Sequence, residues 1–280
     1  MRIAAFQSDG ASSWGVIRDD IISDLGAVTG LSGLGEALRT GRLEAAIGAV
    51  STAPSVDLAQ VQLKPPVIDP RKILCIGLNY ADHIKEMGRE LPSKPVVFTR
   101  YPDTLVGNGE PLVAPRNSAR FDYEGEFTVV IGRGGRHITA DRALEHVLGY
   151  TIMNDGSVRD YQRHTPQFTP GKNFPQSGAL GPWIVTADEF GAIGPQRIST
   201  SVNGVQVQGS RLEELVFGVA DLIAYISEWT ELAPGDVIAT GTPGGVGDGR
   251  DPALFLFPGD VVRIEIDGIG SLTNPVAEEA

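Results

Sequence analysis

The chain has almost no sulfur chemistry to offer, with one cysteine, Cys75, in 280 residues. No intrachain disulfide can form, which excludes the small stapled folds and is the usage expected of a reducing cytoplasm. Cys75 lies in the apolar run KILCIG with no basic residue beside it, so it reads as a small buried hydrophobe rather than a nucleophile. No apolar stretch approaches the length of a membrane span. The first residues, MRIAAFQSDG, lack the pattern of a signal peptide. Positive charge is scarce: 23 Lys and Arg stand against 35 Asp and Glu, a net charge of −12. That balance speaks against nucleic acid and against anionic membrane surfaces as partners. It leaves room for a small anionic substrate wherever a site carries local positive charge. There is no internal repeat and no low-complexity tract. What remains is ordinary globular composition, 41% hydrophobic and 21% charged, enough for one large domain or one with a small appendage.

Residues 1–28 read as short strands, RIAAFQ, SWGVIR and DIISDL, punctuated by turn residues. Residues 33–50 read as a helix interrupted at Gly41, and residues 52–70 as a Pro-rich irregular link. Beyond it, KILCIG, PVVFTR, EFTVVIG, GYTIMN and GPWIVT are strand candidates, and ADRALEHVLG is a short helix. Apolar residues at helical spacing predict one long amphipathic helix from Leu212 to Leu232. The strands DVIATG and DVVRIEIDGIGSL follow, the latter folding at an Asp267-Gly268 turn. Many strands and few helices indicate a β-rich α+β fold.

Within that frame three acids stand out. Glu124 and Glu126 sit two apart in FDYEGEFTVVI, so both side chains leave the same face of a strand, over an underside of Tyr123, Phe127, Val129 and Ile131. Asp155 closes another apolar run, GYTIMND. Three carboxylates at neighbouring strand ends repel one another unless a hard cation with oxygen ligands lies between them. A lone Glu-x-Glu pair is more commonly a solvated strand face. Asp122 makes the local charge denser.

His83 and Glu86 are three apart in GLNYADHIKEMG and share a helix face, the arrangement of a base oriented by a carboxylate. Exposed pairs at this spacing are common too. His137, His146 and His164 have no such partner and read as surface or structural. Lys172, in the Gly/Pro loop TPGKNFPQSG, would polarise a carbonyl if it faced a carboxylate-lined pocket. Arg159 and Gln162 follow Asp155 at plus four and plus seven, on one face if a helix starts there, and a guanidinium on that face suits a carboxylate substrate. ATGTPGGVGDG is not a phosphate loop, because no Lys-Ser or Lys-Thr follows. Its Thr242 offers a hydroxyl and an amide to a ligand.

Together NYADHIKEM, DYEGE, NDGSVRDYQ, the Gly171-Lys172 loop, TGTPGGVG and GIGSLTNPV, in this order over about residues 70–280, resemble the fumarylacetoacetate hydrolase family. The resemblance is to bacterial acylpyruvate hydrolase or 2-hydroxyhepta-2,4-diene-1,7-dioate isomerase-like members. It implies a mixed β-sandwich roll over residues 70–280, preceded by a small N-terminal α/β cap module over residues 1–65. It implies Mg²⁺ or Mn²⁺ held by Glu124, Glu126 and Asp155, and a His83–Glu86 dyad on a mobile lid. Lys172 falls on the family's catalytic lysine, and Arg159, Gln162 and Thr242 on its substrate contacts. The implied activity is hydrolysis of a C–C bond in an acylpyruvate- or fumarylpyruvate-like 2-oxo acid, by a cytoplasmic homodimer. The same apparatus serves an oxaloacetate-type decarboxylase or a 2-hydroxydienoate isomerase. A reading of another class is a non-catalytic metal- or ligand-binding protein. Specificity is expected to lie in the lid, residues 81–95, and in the cap. Family members often carry a bulky apolar residue after the metal aspartate. Gly156 stands there in this chain, with Val158 before the arginine, which implies a looser pocket floor.

Overall fold

A computed structural model describes residues 1–86, 88 and 90–280; Met87, the last residue of NYADHIKEM, lies outside the described residues. The architecture is strand-rich α+β. A large sheet runs, in space, through Ser55–Asp57, Ile21–Asp24, Ala11–Arg18, Arg2–Ser8, Gly178–Thr186, Val147–Asn154, Gly125–Ile131, Val237–Ala239, Ile73–Gly77 and Val96–Arg100. A second sheet packs against it, built from Val205–Arg211, Arg197–Val202, Val261–Ile266, Gly270–Glu278 and Leu112–Ala114.

The strand Gly125–Ile131 explains where the site comes from. It is paired on both sides, with Val147–Asn154 and with Val237–Ala239, and every one of its residues is buried. Its one face, with Phe127, Val129 and Ile131, joins a core shared with Ile198, Ile264 and Leu272 of the second sheet. From its other face Val130 joins a second core, made with Ile3 and Trp14 of the N-terminal strands, with Leu25 of the short helix Leu25–Thr29, and with Leu180 and Ile184. Each buried aliphatic side chain there contributes roughly 1.5–3 kcal/mol. The face bearing Glu126 is therefore not a wet one.

The N-terminal strands do not stand apart from this sheet. Arg2 and Ile3 pair with Val185 and Ile184, so the first strand continues the sheet directly. Residues 52–70, read as an irregular link, contain the strands Ser55–Asp57 and Gln62–Lys64 with a 3₁₀ turn, Leu58–Gln60, between them. The predicted break near Gly41 is present, between the helices Leu34–Arg39 and Leu43–Gly48.

The long helix expected over residues 212–232 is broken. Leu212–Glu214 is a 3₁₀ turn and the helix proper is Val219–Trp229. The cause is Asn79. Its carbonyl takes the Val216 amide at 2.9 Å and its side-chain oxygen takes the Phe217 amide at 2.8 Å, which removes both amides from any helical ladder. The Asp267-Gly268 hairpin forms as expected between Val261–Ile266 and Gly270–Glu278.

Candidate functional site

Register brings the acids together. Gly125 lies opposite Asn154, so Glu124 and Asp155 leave their strands side by side, and the Asp155 amide donates to the Glu124 carbonyl at 2.9 Å. Glu126 follows on the same strand face. Among the described residues, one oxygen each from Glu124, Glu126 and Asp155 come within 4.8 Å of one another. Their exposures are 5%, 1% and 0%. The solvated-face reading of the Glu-x-Glu pair is thereby excluded.

Three buried cations surround this focus. Lys172, at the end of the short helix Thr169–Lys172, donates from Nζ to Glu124 Oε2 and Asp155 Oδ2, both at 2.7 Å. Arg159 opens the one-turn helix Arg159–Gln162. It donates to Asp122 Oδ2 at 2.7 Å, Glu124 Oε1 at 2.6 Å and Gln162 Oε1 at 3.0 Å. Asp155 precedes that helix rather than starting it, so strand register and not a common helix face joins these residues. Arg100 ends the edge strand Val96–Arg100 and donates to Asp155 Oδ1 at 2.7 Å, to the Gly156 carbonyl at 2.8 Å and to Ser177 Oγ at 2.8 Å.

The electrostatics separate the two glutamates. Burial opposes ionisation of Glu124, but Lys172 and then Arg159 outweigh it and hold its carboxyl down at about 2. Burial, then the carboxylates of Asp155 and Glu124, push Glu126 well above the usual carboxylate range. Its Oε2 accepts the Gly241 amide at 2.9 Å, too little to offset that repulsion. Burial would lower the Lys172 ammonium, but Asp155 and Glu124 hold it above its ordinary value. A cluster of hard oxygen donors with an uncompensated carboxyl fits a divalent cation.

Glu124, Glu126, Arg159, Gln162 and Lys172 line one cavity of about 660 Å³, which His83 and Thr242 also line. The helix Ala81–Glu86 sets His83 on its wall, 6% exposed, with Nδ1 at 3.4 Å from Glu86 Oε2, the outer limit of a hydrogen bond. Burial opposes ionisation of Glu86, but His83 and the Gly245 amide hold its carboxyl below the usual range. Arg159 Nη2 is buried with no hydrogen-bond partner among the described residues, a donor open to an anion.

Several expectations change. The Thr242 hydroxyl donates to the Gly125 carbonyl at 3.0 Å and accepts from Gln208 at 2.8 Å, so its proton serves the strand and not a ligand. Gly156 does not loosen the floor: a Cβ there would sit 1.9 Å from the Ser177 carbonyl oxygen, so backbone already fills the space. No described residue before Ile76 lines the cavity, so within one chain the cap forms no part of its wall. His146 is structural, its Nδ1 held 2.8 Å from the Arg133 carbonyl. His164, read as surface or structural, lines the cavity and lies against Tyr161, with ring centroids 4.6 Å apart and the planes tilted by 45°. Sequence reasoning missed Arg100 altogether. It noted Asp122 as charge only, although the even spacing of residues 122, 124 and 126 was the available signal.

A buried three-carboxylate focus, held by cations and open to a cavity with a histidine–carboxylate dyad, defines the class of two-sheet proteins with a divalent-metal-type centre. The family model Fumarylacetoacetate (FAA) hydrolase C-terminal matches residues 72–277. The chain belongs to the fumarylacetoacetate hydrolase family. It is 41% identical over 220 residues to the mitochondrial oxaloacetate tautomerase of Xenopus laevis, covering 78% of this chain and 69% of that one. Among solved structures it resembles fumarylacetoacetate hydrolase from psychrophilic Exiguobacterium antarcticum, with TM-score 0.87, 36% identity and all of both chains covered. It also resembles maleylpyruvate hydrolase from Sphingobium sp. SYK-6 in complex with manganese(II) and pyruvate, with TM-score 0.83, 29% identity and all of both chains covered. No helix among the described residues is long and apolar enough to cross a membrane.

Proposed function

We propose that this chain is a divalent-metal-dependent enzyme of small 2-oxo acids that works through their enol forms. Its reaction is keto–enol tautomerisation of an oxaloacetate-like 2-oxo dicarboxylate. The observation that carries the reading is one cavity lined by Glu124 and Glu126 of the acidic triad, by Arg159 with its unpartnered Nη2, and by His83 of the dyad. Tautomerisation takes precedence over C–C hydrolysis because the tautomerase relative is 41% identical over 220 residues, whereas the fumarylacetoacetate and maleylpyruvate hydrolases are 36% and 29% identical.

Glu124, Glu126 and Asp155 are the residues that would hold Mg²⁺ or Mn²⁺, which when bound supplies Lewis-acid polarisation of the substrate's carbonyl and carboxylate oxygens. Arg159 Nη2 donates to the substrate carboxylate. Lys172 adds positive charge beside the enol oxygen. His83, oriented by Glu86, carries the proton. In the enol-to-keto direction the enol oxygen loses a proton and C3 gains one, with no C–C bond broken and no water consumed.

A second reading is hydrolysis of a longer acylpyruvate, in which His83 takes a proton from water and the hydroxide adds to the distal carbonyl. The bond from that carbon to C3 then breaks to give a carboxylic acid and the enolate of pyruvate, and C3 takes the proton back. Its support is the cavity. About 660 Å³, walled in part by Phe98, Phe168 and Leu78, is room for a drug-sized molecule and more than a four-carbon diacid needs.

The test follows enol loss from oxaloacetate by ultraviolet absorbance, and pyruvate release from acetylpyruvate and fumarylpyruvate, with Mg²⁺, Mn²⁺ or EDTA. The expected result is metal-dependent enol loss without pyruvate release. Pyruvate release outpacing enol loss would establish the hydrolase instead. Absence of metal-dependent turnover on all three would leave a binding protein. His83→Ala should lower turnover by about 10²–10⁴-fold while leaving Mn²⁺ affinity at the wild-type value.

A further inference from the structure

The dyad's carboxylate does more than face His83. Both Glu86 oxygens lie 3.1 Å from the Gly245 amide, which donates between them. A Cβ on Gly249 would meet Glu86 Cδ, Cγ and Oε1 at 2.6, 2.7 and 2.8 Å, and these three atoms of Glu86 are its nearest neighbours. Gly249 has no left-handed backbone, so its conformation alone does not require glycine. What requires glycine is the seat of the Glu86 carboxylate.

That seat is registered to the acidic triad. The Gly247 and Asp248 amides donate to Asp122 at 2.8 and 2.9 Å. Asp122 in turn holds Arg159, and Arg159 holds Glu124. The loop carrying Gly245 and Gly249 is thus pinned at a fixed distance from the groups that would hold the metal.

We propose that Gly249 is a positioning residue: by lacking a side chain it leaves open the seat in which Glu86 rests against the Gly245 amide, and so sets the orientation of His83. The inference rests on the reading of His83–Glu86 as the proton-transferring dyad. A methyl group at 249 displaces only the far end of a flexible side chain, so Gly249→Ala folds normally. Glu86 then leaves the Gly245 amide, and its contact with His83, already 3.4 Å, opens.

The experiment is a double-mutant cycle on the full chain with Mn²⁺ bound, comparing wild type, Gly249→Ala, Glu86→Ala and the double variant. Three quantities are read: amide hydrogen exchange over residues 81–86, turnover, and Mn²⁺ affinity by calorimetry. Gly249→Ala should speed exchange in this helix by about tenfold or more. It should lower kcat by about 10–100-fold, toward the low end for a mispositioned base, with little change in KM and Mn²⁺ affinity within about twofold. In the Glu86→Ala background it should add less than about twofold. Wild-type exchange and kcat in Gly249→Ala would overturn the inference. So would the full effect appearing on top of Glu86→Ala, or a loss of Mn²⁺ affinity, since either places the action of Gly249 elsewhere. If wild type turns over no 2-oxo acid, the functional reading fails, yet hydrogen exchange still decides whether Gly249 seats Glu86.

Discussion

A carboxylate buried without a cation costs several kcal/mol, and Asp155 escapes that cost because Arg100 takes one of its oxygens and Lys172 the other. Removing one partner from such a buried pair typically costs about 3–5 kcal/mol. Arg100→Met should therefore destabilise the protein by that amount in urea titration, and a change below about 1 kcal/mol would show that Asp155 is compensated by other means. Glu126 is the opposite case. Its carboxyl is pushed up by burial and by the neighbouring Asp155 and Glu124 carboxylates, with no cation bonded to it among the described residues. A cation there competes with protonation of that carboxyl, so affinity weakens as pH falls. Calorimetry across a pH series should find Mn²⁺ affinity falling as pH is lowered, and an affinity independent of pH would contradict the assignment. Glu124, Glu126 and Asp155 were legible in the sequence because period-2 spacing and a strand end put them in view. Arg100 was not, because its partner Asp155 is 55 residues away and nothing in PVVFTR marks a buried guanidinium.

At the scale of elements, the strand Gly125–Ile131 both packs the core and carries the site. Phe127 is fully buried and stacks on Tyr150 at 4.9 Å, one residue from Glu126. Phe127→Ala should cost about 3–5 kcal/mol and also weaken Mn²⁺ binding, because the same backbone places Glu126. Retained Mn²⁺ affinity alongside the lost stability would show that the strand's two faces act independently. Strands of this kind were readable because alternation and β-branched residues agree locally. The break in the 212–232 helix was not, because periodicity registers side chains and the interruption comes from Asn79, 138 residues away, capturing a backbone amide. Trp229, at the end of that helix, is half exposed.

Across the whole molecule, the N-terminal strands extend the large sheet, and the segment after them packs Leu31, Leu34, Ala37 and Leu38 into the core beneath Val130, so that face is dry. Alternation in FDYEGEFTVVI marks one apolar face. It cannot tell whether distant strands will bury the other, which is why the sequence left a wet strand face open as a reading. The molecule as a whole carries a charge of −12, yet Arg100, Arg159 and Lys172 converge on this one buried focus, the positive charge that the proposed anionic substrate would require. The central claim is that Glu124, Glu126 and Asp155 together hold a divalent cation on which a 2-oxo acid reacts. Anomalous scattering from crystals grown with Mn²⁺ and oxalate tests it most directly. The account predicts one strong peak with an oxygen of each of the three side chains about 2.0–2.4 Å away and oxalate on the open positions. A peak elsewhere, or none among these three carboxylates, would contradict it.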